Sequence, residues 1–323
     1  MMKNKTDEQM TPLQQRIYQA AEGIRHRVME HTIKNNGGYL SQACSAAEIF
    51  ATLYLDVLHM GMPEQPLLPG SFLGVPGPEN PNHLTGSAFH GIKAPEYDRF
   101  FLSPTHYSLV LYAALIEAGR MDVKGLDAFN KDGSVVEMIG ADHSPGMEIM
   151  TGSLGQGISQ AAGIALGRKM KNETGRVVVF LSDGECQSGQ FWEAVQAMSY
   201  HKLDNMLAYV DINGYQCDGK TTTVMNIEPF DKRLESFGAR VFRINGHDVN
   251  ALAELGKLKP DGRPTFVLCD TDPCRGVDIL KNRIPKLHYV RFNNEEEREQ
   301  YRTVFHNMAD FAGQGGKLNG DII

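Results

Sequence analysis

The chain has 323 residues, with 32 Lys and Arg against 39 Asp and Glu, a formal net charge of −7. That length allows a large core, in one big domain or two ordinary ones. The acidic balance and the lack of any basic block argue against a nucleic-acid partner, and no run approaches the ~18 apolar residues of a membrane span. The start, MMKNKTDEQMTPLQQ, is polar and lacks the apolar centre of a signal peptide, so a cytoplasmic location is expected. An odd cysteine count without a secretion signal predicts free thiols at Cys44, Cys186, Cys217, Cys269 and Cys274. Cys269 and Cys274 form C-x4-C without the second pair a zinc site needs, and read as small hydrophobes.

In chain order, Leu13, Ile17, Ala20, Ala21, Ile24 and Val28 recur near 3.6-residue spacing and predict a helix over 12–33. Ser45 with Glu48 three positions on has the form of a capping box and predicts a second helix, SAAEIFATLYLDVL. Residues 60–99 are broken by Pro and Gly and form a long irregular segment. They carry Phe72, Leu73, His83, Phe89, His90 and Lys93, too sticky for a plain linker, which predicts an ordered flap over a site or interface. Helix resumes at about Tyr107 and ends near Gly119; another covers 153–170 after a glycine-rich start.

Then the pattern alternates: strand 176–182, helix 188–201, strand 206–212, helix 231–237, strand 239–244, helix 248–256, strand 264–270. Val/Ile/Leu-rich strands separated by helices predict an α/β fold, a mainly parallel sheet with helices on both faces. His247 reads as a turn residue before an N-cap at Asp248. One α/β domain is expected over 1–290, with the flap at about 60–99. Over 291–323 a charged helix and a loose tail follow.

Two of these strands end in a polar residue that could bind something. Asp183 follows the first of them, and Asn213, 30 positions later, follows the next. Ligands of parallel sheets bind just beyond the carboxyl ends of the strands. If the two strands are neighbours, a carboxylate and an amide oxygen converge, and with a turn carbonyl they make a hard oxygen site suited to Mg²⁺ or Ca²⁺ and diphosphate oxygens. Gly184 would let the backbone approach phosphate closely. The plainer alternative is that Asp183 only caps the following helix.

The stretch SDGE-x-Q-x-G-x-x-WEA, followed by KLDN-x3-YVD-x-NG, resembles the thiamine-diphosphate motif of transketolases. PGMEIMTGSLGQGISQAAGIALGRK (145–169) and YDRFFLSPTHYSLVLYAALIEAGRMD (97–122) resemble two further segments of that family, in family order. The resemblance implies a thiamine-diphosphate-binding fold covering only the first domain of the family. It also implies a partner: a second polypeptide carrying the pyrimidine-binding domain and its activating glutamate, with a two-plus-two heterotetramer expected. The implied reaction is transfer of a two-carbon ketol unit from an anionic ketose, a sugar phosphate or a variant such as a 6-sulfo-ketose or apulose phosphate, to an aldose.

By the same resemblance, Asp183 and Asn213 bind the metal through side chains and Tyr215 through its carbonyl. Gly152, Leu154, Gly184 and His106 line the cofactor. His106, His143 and His288 are the candidate proton-handling groups, since histidine titrates near neutrality, and Asn35, His143 and His288 the candidate substrate contacts. His106 could also be a helix-terminus histidine satisfied by backbone. His143 is weighed evenly, because its spacing to TGSLGQG differs from long-chain members. Lys93, His83 and His90 could hold an anionic substrate end or be flap-surface residues. Three departures stand out: Ser182 for the motif's first glycine, Asn35 for a donor-contacting histidine, and Ser188 for a glutamate that links subunits. Two rival readings are the alpha subunit of a 2-oxo acid dehydrogenase and a degenerate, regulatory half-transketolase.

Overall fold

The computed structural model describes residues 10–75, 77–80 and 85–314. His83 and residues 315–323 lie outside the described residues, while the first two residues of the expected tail, 313–314, continue the last helix. Helix α1 (Pro12–Lys34) starts at a capping box: Thr11 Oγ1 accepts from Gln14 N at 3.2 Å, and Gln14 Oε1 accepts from Thr11 N at 2.6 Å. Helix α2 (Leu40–Thr52) runs on into a wider turn at Leu53–Val57. Strand β1 (Arg99–Leu102) is followed by a tight turn, Thr105–Tyr107, and α3 (Ser108–Glu117). Then come α4 (Gly157–Met170), β2 (Val177–Ser182), α5 (Gly189–Tyr200) and β3 (Met206–Ile212). A small hairpin of β4 (Tyr215–Gln216) and β5 (Gly219–Lys220) leads to α6 (Thr221–Val224) and α7 (Phe230–Ser236). Strand β6 (Arg240–Asn245), α8 (Val249–Gly256), β7 (Thr265–Asp270) and α9 (Glu295–Gln314) complete the order.

The main sheet has the order β1-β2-β3-β7-β6, and every pair in it is parallel. Successive strand residues face opposite sides, and the core divides accordingly. Phe100, Val178, Phe180, Leu207, Tyr209 and Val267 join the α1–α2–α3–α8 side. Phe101, Val179, Leu181, Ala208, Val210 and Phe266 join the α4–α5–α7 side. Burial on both faces explains why β2 reads as an unbroken apolar run, VVVFLS. Fully burying a side chain such as Phe180 contributes about 2–3 kcal/mol.

Several expectations need correction. Helix α2 begins at Leu40, so Ser45 is not its cap: the Ser45 hydroxyl is buried and donates to Asp211 at 2.6 Å. Glu48 is no capping partner either; it sits in a buried ion cluster with Arg25, His247 and Arg275. All thirteen residues of α2 are buried, and Ser45, Gln42 and Glu48 find tertiary partners in Asp211, the His288 carbonyl and the Arg25–His247–Arg275 cluster. His247 is accordingly more than a turn residue, since its Nδ1 lies 3.0 Å from Glu48 and its Nε2 accepts from Asp272 N at 2.8 Å. Asp248 does cap α8, accepting from Asn250 N and Ala251 N.

Helix α4 starts at Gly157 rather than 153, because Gly152 and Gly155 adopt φ of +115° and +81°, outside helical space. The flap is ordered at its carboxyl end, where His90 is neither surface nor anion-binding. It is buried between the Tyr54 hydroxyl, 2.9 Å from Nε2, and Glu148, 3.0 Å from Nδ1, while Glu148 also pairs with Arg99. Lys93 is exposed and makes no ion pair among the described residues.

Candidate active site

The carboxyl ends of β1, β2, β3 and β7 open on one cluster of polar groups. Strands β2 and β3 are adjacent, with Ser182 opposite Asp211, so the residues that follow them are neighbours. Asp183 N donates to Asp211 O at 3.0 Å, and Asp183 Oδ2 accepts from Gly214 N at 2.9 Å. Gly214 holds φ at +76°, which suits the tight 213–215 turn. The Asn213 carboxamide gives its Nδ2 to Asp211 and to the Tyr107 hydroxyl, both at 3.1 Å, and its Oδ1 accepts from Tyr215 N at 2.9 Å.

Asp211 is the hub of this cluster. It accepts from Ser45 Oγ and Tyr107 Oη at 2.6 Å, and from Asn213 and Thr271. Sequence reasoning passed over Asp211, Tyr107, Ser45 and Thr271. The strand-end rule could have flagged Asp211 and Thr271, and Tyr107 adjoins a motif histidine. Nothing local marks Ser45.

No cation among the described side chains balances the two acids. Asp183 is only 3 % exposed, and its Oδ1 has no hydrogen-bond partner. Burial, and then the Asp211 charge, push its carboxyl up to about 8. Burial also raises Asp211, against the donors that hold it ionised. A divalent ion would supply the missing charge and use the orphaned Oδ1. The Asn213 Oδ1 keeps a second lone pair, so the donor set is the oxygen-only kind that Mg²⁺ and Ca²⁺ take. The residues present therefore fit a metal carrying a diphosphate. A Cβ at Gly184 would lie 3.0 Å from Gln216 Cβ, so a larger residue would crowd the hairpin there.

Beside the acids stands a ring cluster. His106, in the turn after β1, and His288 have ring centroids 4.9 Å apart. Tyr39, the residue before α2, lies 5.7 Å from His106, 5.4 Å from His288 and 4.9 Å from Tyr289. Burial, and then His288, push His106 down to about 3, so it is neutral at pH 7. Burial also lowers His288, while Asp218 in the β4–β5 hairpin opposes the shift. Gln42 donates to His288 O at 3.2 Å and fixes that segment against α2.

The other candidates lie around this pair. Asn35 caps α1, its Nδ2 donating to His31 O at 2.8 Å, and is exposed. The adjoining glycines reach the ring cluster instead: Gly38 exchanges backbone hydrogen bonds with Val290, and a Cβ at Gly37 would fall 2.7 Å from the Tyr289 hydroxyl. His143 is not brought to His106 or His288; its Nε2 is 3.2 Å from Glu137 and its ring packs 4.6 Å from Phe72 of the flap. Gly152 and Leu154 lie on the exposed loop before α4, with Leu154 47 % exposed. The Thr105 methyl lies 3.7 Å from where a Cβ of Gly152 would be. Tyr215 opens β4 and is half-buried.

Residues 89–299 match the family described as transketolase, thiamine diphosphate binding domain. A transketolase family protein of Sinorhizobium fredii, y4mO, is 33 % identical over 288 residues, covering 88 % of this chain and 93 % of that one. The 6-deoxy-6-sulfo-D-fructose transketolase subunit SqwG of a Clostridium species is 28 % identical, covering 85 % of this chain and 91 % of its own. One of the subunits of apulose-4-phosphate transketolase from Actinobacillus succinogenes is also 28 % identical, covering 86 % of this chain and 92 % of its own. Among solved structures, transketolase from Campylobacter jejuni superposes with a TM-score of 0.67 at 21 % identity, over 93 % of this chain but 48 % of that one. The chain thus spans about half the length of the solved transketolase it matches. It belongs to the transketolase family and corresponds to that family's thiamine-diphosphate-binding domain.

Proposed function

We propose that this chain is the amino-terminal subunit of a split transketolase, active with a second polypeptide that supplies the pyrimidine-binding domain. The observation that carries the reading is the orphaned Asp183 Oδ1, buried beside Asp211 at the end of β2 with no protein cation to balance it among the described residues. In this reading Asp183, Asn213 and the Tyr215 carbonyl hold Mg²⁺ or Ca²⁺, Gly184 packs against the diphosphate, and Gly152 and Leu154 lie along the cofactor. Bound thiamine diphosphate supplies the nucleophilic carbon that takes up the two-carbon unit. The chain's own residues hold the metal, shield the site and manage protons on sugar hydroxyls. In this reading His106, with His288 beside it, handles those protons once substrate and cofactor are in place.

The substrates are proposed as an anionic ketose donor, phosphorylated or sulfonated, and an aldose acceptor. Relatives named as subunits of sulfo-fructose and apulose-4-phosphate transketolases support both this class and the need for a partner; two copies of each chain are proposed on symmetry grounds alone. They also favour ketol transfer over decarboxylation of a 2-oxo acid. The test is ketol transfer by the complex coexpressed with its partner, using sulfonated, phosphorylated and neutral ketoses. Transfer from an anionic donor that requires thiamine diphosphate and divalent metal is expected. Decarboxylation of 2-oxo acids without transfer, or no response to the cofactor, would overturn it.

A further inference from the structure

We propose that Glu185 is a positioning residue that sets the cofactor-facing loop 151–156 against the metal-binding turn. Resting on the cofactor reading above, the inference adds a residue to which the sequence motifs assign no task.

Glu185 is 1 % exposed, and three segments converge on it. Its Oε2 accepts from Ser103 Oγ at 2.6 Å, at the end of β1, and from Gly155 N at 3.1 Å, in the glycine-rich loop. Its Oε1 accepts from Ser182 N at 3.0 Å, at the end of β2. No cation pairs with it among the described residues, so these donors alone compensate its burial. A carboxyl buried at this cost without a counter-ion implies a task beyond filling space, since an apolar side chain would fill the volume more cheaply.

The loop it holds has few other restraints. Besides Gly155 N, its backbone bonds are Thr151 N to Gly140 O at 2.6 Å, Gln156 N to Ser153 O at 3.2 Å, and, at its junction with α4, Gln156 O accepting from Ser159 N at 3.1 Å and Gln160 N at 3.2 Å, so residues 152–154 have no backbone anchor outside the loop among the described residues. Gly155 sits at φ +81°, and a Cβ there would fall 2.0 Å from Ser188 Oγ, so the residue is pinned from two sides. Glu185 stands two residues after Asp183. A shift of the loop that carries Gly152 and Leu154 is therefore a shift relative to Asp183. Glutamine keeps the shape but must turn an NH₂ toward Gly155 N or Ser182 N, losing one of the three bonds.

The test combines amide hydrogen exchange on the cofactor-free full-length chain with thiamine diphosphate affinity of the partner complex in Mg²⁺. In Glu185→Gln, exchange in residues 151–156 is expected to rise about tenfold while β3 and α1 stay unchanged. Cofactor affinity should fall about tenfold, the loss of one charge-assisted bond, with KM for the ketose unchanged at saturating cofactor. Ser103→Ala, which removes a donor outside the loop, should loosen the same peptide to a lesser degree and serves if the first variant does not fold. Unchanged loop exchange in both variants, or exchange raised equally throughout the chain, would overturn the inference. Exchange decides Glu185 without cofactor. Failure of the wild-type complex to bind thiamine diphosphate would instead overturn the cofactor reading.

Discussion

The two halves of the site are built in opposite ways. The acid half, Asp183, Asp211 and Asn213, comes from two adjacent strand ends and is dense in hydrogen bonds, yet has an unpartnered Asp183 oxygen and no cation beside it among the described residues. The imidazole half, His106, His288 and Tyr39, comes from three segments far apart in sequence and is held mainly by ring contacts. Burial makes an acid in the first half hold its proton and a base in the second half shed it. The acids of the first half lack a protein cation among the described residues, and His106 in the second is neutral at pH 7.

Substitutions can break that contrast. The largest effect is expected for Asp183→Ala. Calorimetry should find thiamine diphosphate affinity in Mg²⁺ reduced more than about 100-fold, beyond the roughly 10–100-fold typical of residues that merely support a ligand. Urea unfolding of the cofactor-free variant should show no lowered midpoint, because a buried unbalanced acid is removed. His106→Phe should do the reverse: cofactor affinity held, stability within about 1.5 kcal/mol because ring packing persists, and steady-state ketol transfer down about 100-fold.

pH sharpens the imidazole half. Burial depresses His106 to about 3 and His31 to about 4, against 6.5 when unfolded. The unfolded chain therefore binds more protons below pH 6.5. The stability from these neutral rings is full above that value and falls as pH drops toward 4 and 3. Urea midpoints between pH 7 and 5 should record a loss of about 2 kcal/mol per ring at most, and His106→Phe should remove its own share. The smallest effect is expected for Tyr107→Phe, which deletes one of the Asp211 donors. It should cost about 1–2 kcal/mol in urea unfolding.

The same contrast explains what was legible beforehand. Asp183 and Asn213 could be brought together from sequence because consecutive strands joined by one helix commonly lie side by side in a parallel sheet. Asp211 ends the second strand in plain view, but its value as a hub depends on Ser45 and Tyr107 arriving from other elements. Tyr39 could not be placed while α2 was expected to start at Ser45. The S-x-x-E pattern there arose by chance inside a helix buried all round, where tertiary partners override the local signature. Strand β1 escaped because four residues show no period, although its Phe-Phe-Leu joins both cores. The motifs pointed to His106 and His288, and the fold brings their rings together. They also pointed to His143, which the structure sets against Glu137 and Phe72.

The function proposed for this chain rests on a divalent ion bound by Asp183, Asn213 and the Tyr215 carbonyl. Crystals of the partner complex grown with Mn²⁺ and thiamine diphosphate, measured for anomalous scattering, test it directly. The expected result is one strong manganese peak at the ends of β2 and β3, within coordination distance of Asp183 Oδ1, Asn213 Oδ1 and Tyr215 O, with diphosphate oxygens completing the shell. A cofactor bound with its metal elsewhere, or with Asp183 Oδ1 still without a partner, would contradict it.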